Sequence, residues 1–206
     1  MIILWSRIEG VMGTVGVGGA SRPDELFAAM GEFVVRFSGF LTEVQWGVRM
    51  MIDPDGLVSF LTAGMRAQQV TDSFMAICPA RAGDRWGPAD NRMMKAVRRE
   101  TQVLIEDRNR IAHDIWNTLW LDDGPEVLQK QTTKLSKGRL KVDRSPWTAD
   151  DGRALCADAR RLTAVVAQLW EAAIADPPPS ERIVMDDEGH VVVLGGRSDG
   201  GPLAQE

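Results

Sequence analysis

The residues best equipped for chemistry stand together in the run Arg108-Asn109-Arg110-Ile111-Ala112-His113. His113 is one of only two histidines in the chain, and an imidazole exchanges a proton near neutral pH. A guanidinium grips a phosphate through two parallel hydrogen bonds. The combination points to phosphate-ester chemistry. Arg108 would hold the phosphate, His113 would move the proton, and Asn109 would orient one or the other. The two histidines lie far apart, and no HxxE, ExxH or CxxC pair supplies ligands at metal spacing. The expected chemistry therefore needs no metal and no cofactor.

Spacing alone is weak support, because chance places an arginine five residues before a histidine in roughly one such chain in six. The setting adds more. The run sits inside a helical pattern whose apolar stripe reads Met94, Val97, Thr101, Leu104, Arg108, Ile111, Ile115. Arg108 occupies a position where the pattern asks for an apolar side chain. A local violation of this kind is where function is worth suspecting. On a straight helix, Arg108 and His113 stand roughly 140° apart and bracket a sector holding Ala112 and Asn109. Asn109 lies one turn before His113 and shares its face. Arg110 is placed to pair with Glu106 one turn back; it is also a candidate substrate contact.

The elements that must hold this run are helical. A first helix is expected after Ser21-Arg22-Pro23-Asp24, with apolar positions Leu26, Phe27, Met30, Phe33, Val34, Phe37, Phe40, Leu41, Val44 and Val48. Asp53-Pro54-Asp55-Gly56 is a turn. A second helix is expected from Leu57 to Ile77, then a loop from Pro79 to Pro88. The third, carrying the motif, is expected from Ala89 to Thr118 with Asp90 as its cap. Lys134 to Val142 reads as a short hairpin around Gly138. The last long helix runs from near Thr148 to Ala175, stopped by Pro177-Pro178-Pro179. The fold class is all-α: an up-and-down bundle of four to five helices, with a short β-hairpin inserted before the last long helix.

Three regions follow. Residues 1–21 are glycine-rich and expected to be a flexible segment. Residues 22–175 form the helical bundle. Residues 176–206 form an acidic, Gly/Pro-rich tail, with seven acidic against two basic residues, expected to be mobile apart from one strand over His190–Leu194. The net charge of -5 at pH 7 therefore comes from the tail. A general nucleic-acid binder is not implied, but local basic clusters on the neutral bundle can still meet RNA. The hairpin carries such a cluster in Lys134, Lys137, Arg139, Lys141 and Arg144. Of these, Lys137, Arg139 and Lys141 are the candidate substrate contacts, tracking a phosphate backbone. Cys78 and Cys156 lie far apart in apolar surroundings and read as reduced, buried thiols of a cytoplasmic protein. No run of about 18 apolar residues spans a membrane.

The motif Arg108-Asn109-Arg110-Ile111-Ala112-His113, late in a long helix and followed by Trp116, resembles that of small bacterial members of the HEPN superfamily. The helical layout from Asp24 to Ala175 is similar to theirs. The resemblance implies a homodimer in which two motifs form one cleft. It implies a metal-independent endoribonuclease of toxin or defence type, with a nucleotidyltransferase-type antitoxin as possible partner. Arg108, Asn109 and His113 would be its catalytic residues. Two other readings remain open. One is a non-catalytic HEPN-like module that dimerises and binds RNA or protein. The other is a plain helical-bundle interaction protein, with Arg108 in a structural ion pair to Glu43 or Glu100. The tryptophans read as core, with Trp116 and Trp120, one helical turn apart, the best candidates for stacking on a base.

Overall fold

A computed structural model describes residues 23–52, 62, 64–113, 115–119, 127–136, 139–175 and 177–194 of the chain. For the strands between 115 and 146 it describes the backbone. Four helices make the bundle: α1 (Pro23–Ile52), α2 (Ala67–Ala82), α3 (Pro88–His113) and α4 (Ala149–Ile174). Strands β1 (Ile115–Leu119), β2 (Val127–Ser136) and β3 (Arg139–Pro146) stand between α3 and α4. They form one antiparallel sheet in the order β1-β2-β3. A second, two-stranded ribbon, β4 (Ile183–Met185) and β5 (Val191–Val193), follows α4. The chain is thus a mostly helical bundle with a β-hairpin ahead of its last long helix, as the apolar spacing predicts.

The stripe on α1 explains the packing. Leu26, Phe33, Phe37, Phe40, Val44 and Val48 are all buried, at helical spacing on one face. Phe27 and Val34, counted on the same stripe in the sequence, lie outside the core and are 58% and 42% exposed. Against the buried face packs α4, through Leu162, Val165, Val166 and Leu169. Two glycines set how closely the helices approach. A Cβ added at Gly47 would stand 2.6 Å from a Phe74 ring carbon and 2.8 Å from Trp170. One added at Gly152 would stand 2.7 Å from the Ala29 Cβ and 2.8 Å from Trp147. At the rim of this contact Arg160 donates to Glu32 at 2.6 Å. That bond and the one from Arg36 hold the Glu32 carboxyl below its ordinary value.

Capping accounts for the helix ends. Thr148 and Asp151 form a reciprocal box at the start of α4. Arg85 donates to the carbonyls of Ala172 and Ala173 in the last turn of α4, at 3.2 and 2.7 Å. Pro88 opens α3 at the position that tolerates proline. Asp90 is not the cap residue itself. It lies further inside and reaches back to the Gly87 N–H at 2.8 Å. Its other oxygen accepts the Ser180 N–H at 2.8 Å, which ties the segment after α4 to the start of α3.

Several expectations are corrected. The second helix was expected from Leu57 to Ile77 with a loop from Pro79; residues 57–61 lie outside the described residues, the helical path is interrupted at 64–66, and α2 runs from Ala67 through Pro79 to Ala82. Pro79 sits in the last turn, where its missing N–H costs one bond. The helix then stops at Gly83, whose φ of 58° suits glycine. The third helix was expected to reach Thr118 but ends at His113. Ile115-Trp116-Asn117-Thr118 are poor helix formers that pair instead with β2. The strand expected over His190–Leu194 is present as β5, whereas residues 177–189 were expected to be mobile. Both pack on the bundle, with Ile183 and Val191 fully within the core. Glu100 and Arg161 fasten them: a carboxylate oxygen of Glu100 accepts the Val191 N–H at 3.1 Å, and Arg161 donates to the Val191 carbonyl at 2.9 Å and to Glu100 itself. The expected flexible segment 1–21, the turn at 53–56 and the distal tail lie outside the described residues.

Gly47→Ala and Gly152→Ala should each lower the unfolding free energy by about 2 kcal/mol, because the close approach leaves no room for a methyl group. Urea denaturation checks this, and wild-type midpoints in both would refute the spacer role. Glu100→Ala should cost about 2 kcal/mol, since it strands a charged donor and a backbone N–H together. Limited proteolysis should then cut within 177–194 before the bundle.

Candidate functional site

The motif occupies the last two turns of α3. Leu104 and Ile111 are buried on either side of Arg108, so Arg108 does stand on the apolar stripe. It lies half-buried with its guanidinium carbon 5.9 Å from the Phe37 ring centroid of α1, at the outer reach of a cation–π contact. One of its nitrogens donates to the Asn109 side-chain oxygen at 3.2 Å. Among the described residues no carboxylate pairs with it. Glu43 is taken by the Trp170 indole N–H at 2.8 Å, and Glu100 by Arg161 and Val191. The structural ion pair to Glu43 or Glu100 is therefore not formed.

Asn109, Ala112 and His113 are exposed. The arrangement leaves a guanidinium steadied from two sides, by a ring and by an amide, with no carboxylate among the described residues to neutralise it. Such a group can receive an anion without first breaking an ion pair. The imidazole of His113 stands in the last helical turn, open to solvent, where a ligand can reach it.

The other expected site residues divide. Arg110 is engaged, donating to Asp107 at 3.0 Å and standing 3.6 Å from Glu106. It supports the helix, as the Glu106 spacing predicts, and holds no free donor fork for substrate. Arg139 and Lys141 lie on β3, while Lys137 lies outside the described residues. Trp116 lies on β1 rather than on a helix, so it is not one helical turn from Trp120, which also lies outside them. Trp147 is buried, and Trp170 and Trp86 are partly so. Trp46 is 43% exposed, with the Arg49 guanidinium carbon 5.0 Å from its ring.

One cavity of about 330 Å³ lies elsewhere, between α3, α4 and His190. Its charged lining is largely paired internally, Arg161 with Glu100 and Asp158 and Asp107 with Arg110. Sequence reasoning missed it, because its third wall is the segment taken for a loose tail. Cys78 and Cys156 are buried and free, and burial pushes both thiols up, which makes them poor nucleophiles. Among the described residues no cluster of His, Cys, Asp and Glu could hold a metal, and no helix is long and apolar enough to cross a membrane.

Arg108→Met should keep the packing on Phe37 and lose the charge together with its single bond to Asn109. Its unfolding free energy should equal or exceed the wild-type value. Thermal unfolding checks this, and a loss above about 2 kcal/mol would mean that the arginine is structural. No family model matches the chain, and neither a curated protein nor a solved structure does so.

Proposed function

We propose that the protein is a HEPN-like, metal-independent endoribonuclease of toxin or defence type, acting as a homodimer with RNA as its substrate. The observation that carries this reading is Arg108, half-buried over Phe37, held by Asn109 and without a carboxylate partner among the described residues. Keeping such a charge on an apolar stripe costs stability unless an anion or a second chain meets it. The reaction is transesterification. A ribose 2'-oxygen attacks the adjacent phosphorus while its proton passes to His113. The bond to the 5'-oxygen breaks, and that oxygen takes a proton from His113 of the second protomer. The products are a 2',3'-cyclic phosphate and a 5'-hydroxyl. Arg108 stabilises the charge on the equatorial oxygens.

The dimer has its own support. Phe27, Val34 and Leu41 recur every seven residues along α1, the first two exposed and Leu41 partly so. Val34 and Leu41 lie one turn to either side of Phe37 on the same helix. An apolar strip thus borders the Arg108 contact, where two motifs would have to meet. The same strip favours a second reading, a non-catalytic HEPN-like module that dimerises or binds a protein such as a nucleotidyltransferase-type antitoxin.

Purified protein should cleave mixed cellular RNA in the presence of EDTA, and His113→Ala should reduce the rate by about 10²–10⁴. Equal rates in both proteins, or none in either, would leave only the module. Val34→Glu should shift sedimentation at micromolar concentration from dimer to monomer. A wild-type monomer under those conditions would remove the shared cleft.

A further inference from the structure

The strand register sorts the hairpin in a way that the sequence alone does not. In β1-β2-β3 the partners Trp116↔Lys130, Lys134↔Lys141 and Ser136↔Arg139 fall on one face of the sheet. That face also holds Thr118, Leu128, Thr132, Ser145 and a single acid, Asp143. The opposite face holds Ile115, Leu119, Val127, Leu135, Leu140 and Val142 beside the uncharged polar residues Asn117, Gln129, Gln131 and Thr133, with Arg144 its one charge. The register therefore gathers four cations on one face and leaves one on the other. Lys134 and Lys141 are direct cross-strand partners. Like charges so placed repel, and the pair weakens the sheet unless something anionic meets it. Trp116 is the register partner of Lys130, which sets an aromatic residue among the cations.

Basic residues interleaved with an aromatic on one sheet face are the elements of a single-strand nucleic-acid platform: cations track phosphates, and a ring stacks on a base. The cationic row runs from Lys130 to the level of Arg139, six residues along β2 and about 20 Å. β1 begins two residues after His113, so Trp116 lies within about 11 Å of chain from the proposed reacting imidazole. We propose that the face carrying Trp116, Lys130, Lys134, Arg139 and Lys141 binds single-stranded RNA and feeds it to the Arg108–His113 site. The choice of RNA over another polyanion rests on the ribonuclease reading above; the anion preference of the face rests on its own charges.

The test is fluorescence-anisotropy binding of a ~12-nucleotide single-stranded RNA to the full chain across a salt series. All proteins carry His113→Ala to stop turnover. Lys134→Gln/Lys141→Gln should weaken binding about tenfold and flatten the log–log salt slope by about 1.4, or 0.7 per lost phosphate contact. Gln129→Glu/Gln131→Glu changes net charge by the same amount on the other face, and should leave the slope unchanged. Trp116→Leu should weaken binding roughly tenfold with the slope intact. Matching circular dichroism melts confirm that each variant is folded. Equal losses from both charge pairs would overturn the face assignment. So would unchanged binding in Lys134→Gln/Lys141→Gln, or displacement of the RNA by polyglutamate at equal charge. Protein with its native histidine that binds the oligonucleotide through this face yet never cleaves RNA would sink the ribonuclease and keep the platform. Cleavage with binding untouched by these changes would do the reverse.

Discussion

The distance between α1 and α4 is set by two missing methyl groups. Gly47 admits the rings of Phe74 and Trp170, and Gly152 admits Trp147 against Ala29. With those glycines the two longest apolar faces close on each other at near contact. Arg108 meets the same α1 stripe at Phe37, so the motif leans on a helix whose packing the glycines constrain. Dense interiors transmit such constraints, because they lack the free volume to absorb them.

Much of this was legible in residue order. The α1 stripe, the start of the last long helix near Thr148, the Glu106–Arg110 pair and the intrusion of Arg108 among buried neighbours are all read from local sequence pattern. These are local patterns with a fixed period, and tertiary contacts reinforce rather than override them. The losses are equally specific. Phe27 and Val34 fit the helical period but sit just beyond the width of the contact. Residues 115–118 could continue a helix on apolar spacing alone; pairing with β2 decides against it. Pairing is non-local, so neither the end of α3 nor the sorting of lysines onto one sheet face could be read without the register. The ribbon after α4 was obscured by its acidic composition. Ile183 and Val191 are few among many charges, yet they suffice once Glu100 and Arg161 hold the backbone between them.

Packing alone gives little reason for an arginine at position 108. Arg108 gains a ring contact and one neutral acceptor, both modest. An aliphatic side chain would fill the same position at lower cost. Natural proteins tolerate such residues where activity or association requires them. The neighbouring Arg110 makes the contrast plain: it has two carboxylates within reach and is spent on the helix.

The Glu100–Arg161 pair has a consequence for the company that the chain keeps. Ladder bonds of the β4–β5 ribbon run through Asp186 with His190 and through Leu194 with Arg182. At Val191 the backbone groups point away from β4 and form an open edge, the kind of edge on which a strand from another molecule can add. Here both groups are occupied, the N–H by a carboxylate and the carbonyl by a guanidinium. Two helices supply through side chains what a third strand would supply through its backbone. A stray strand adding at Val191 would have to break an ion pair before forming its first bond, so the ribbon is closed at that point of its edge without further sheet being built.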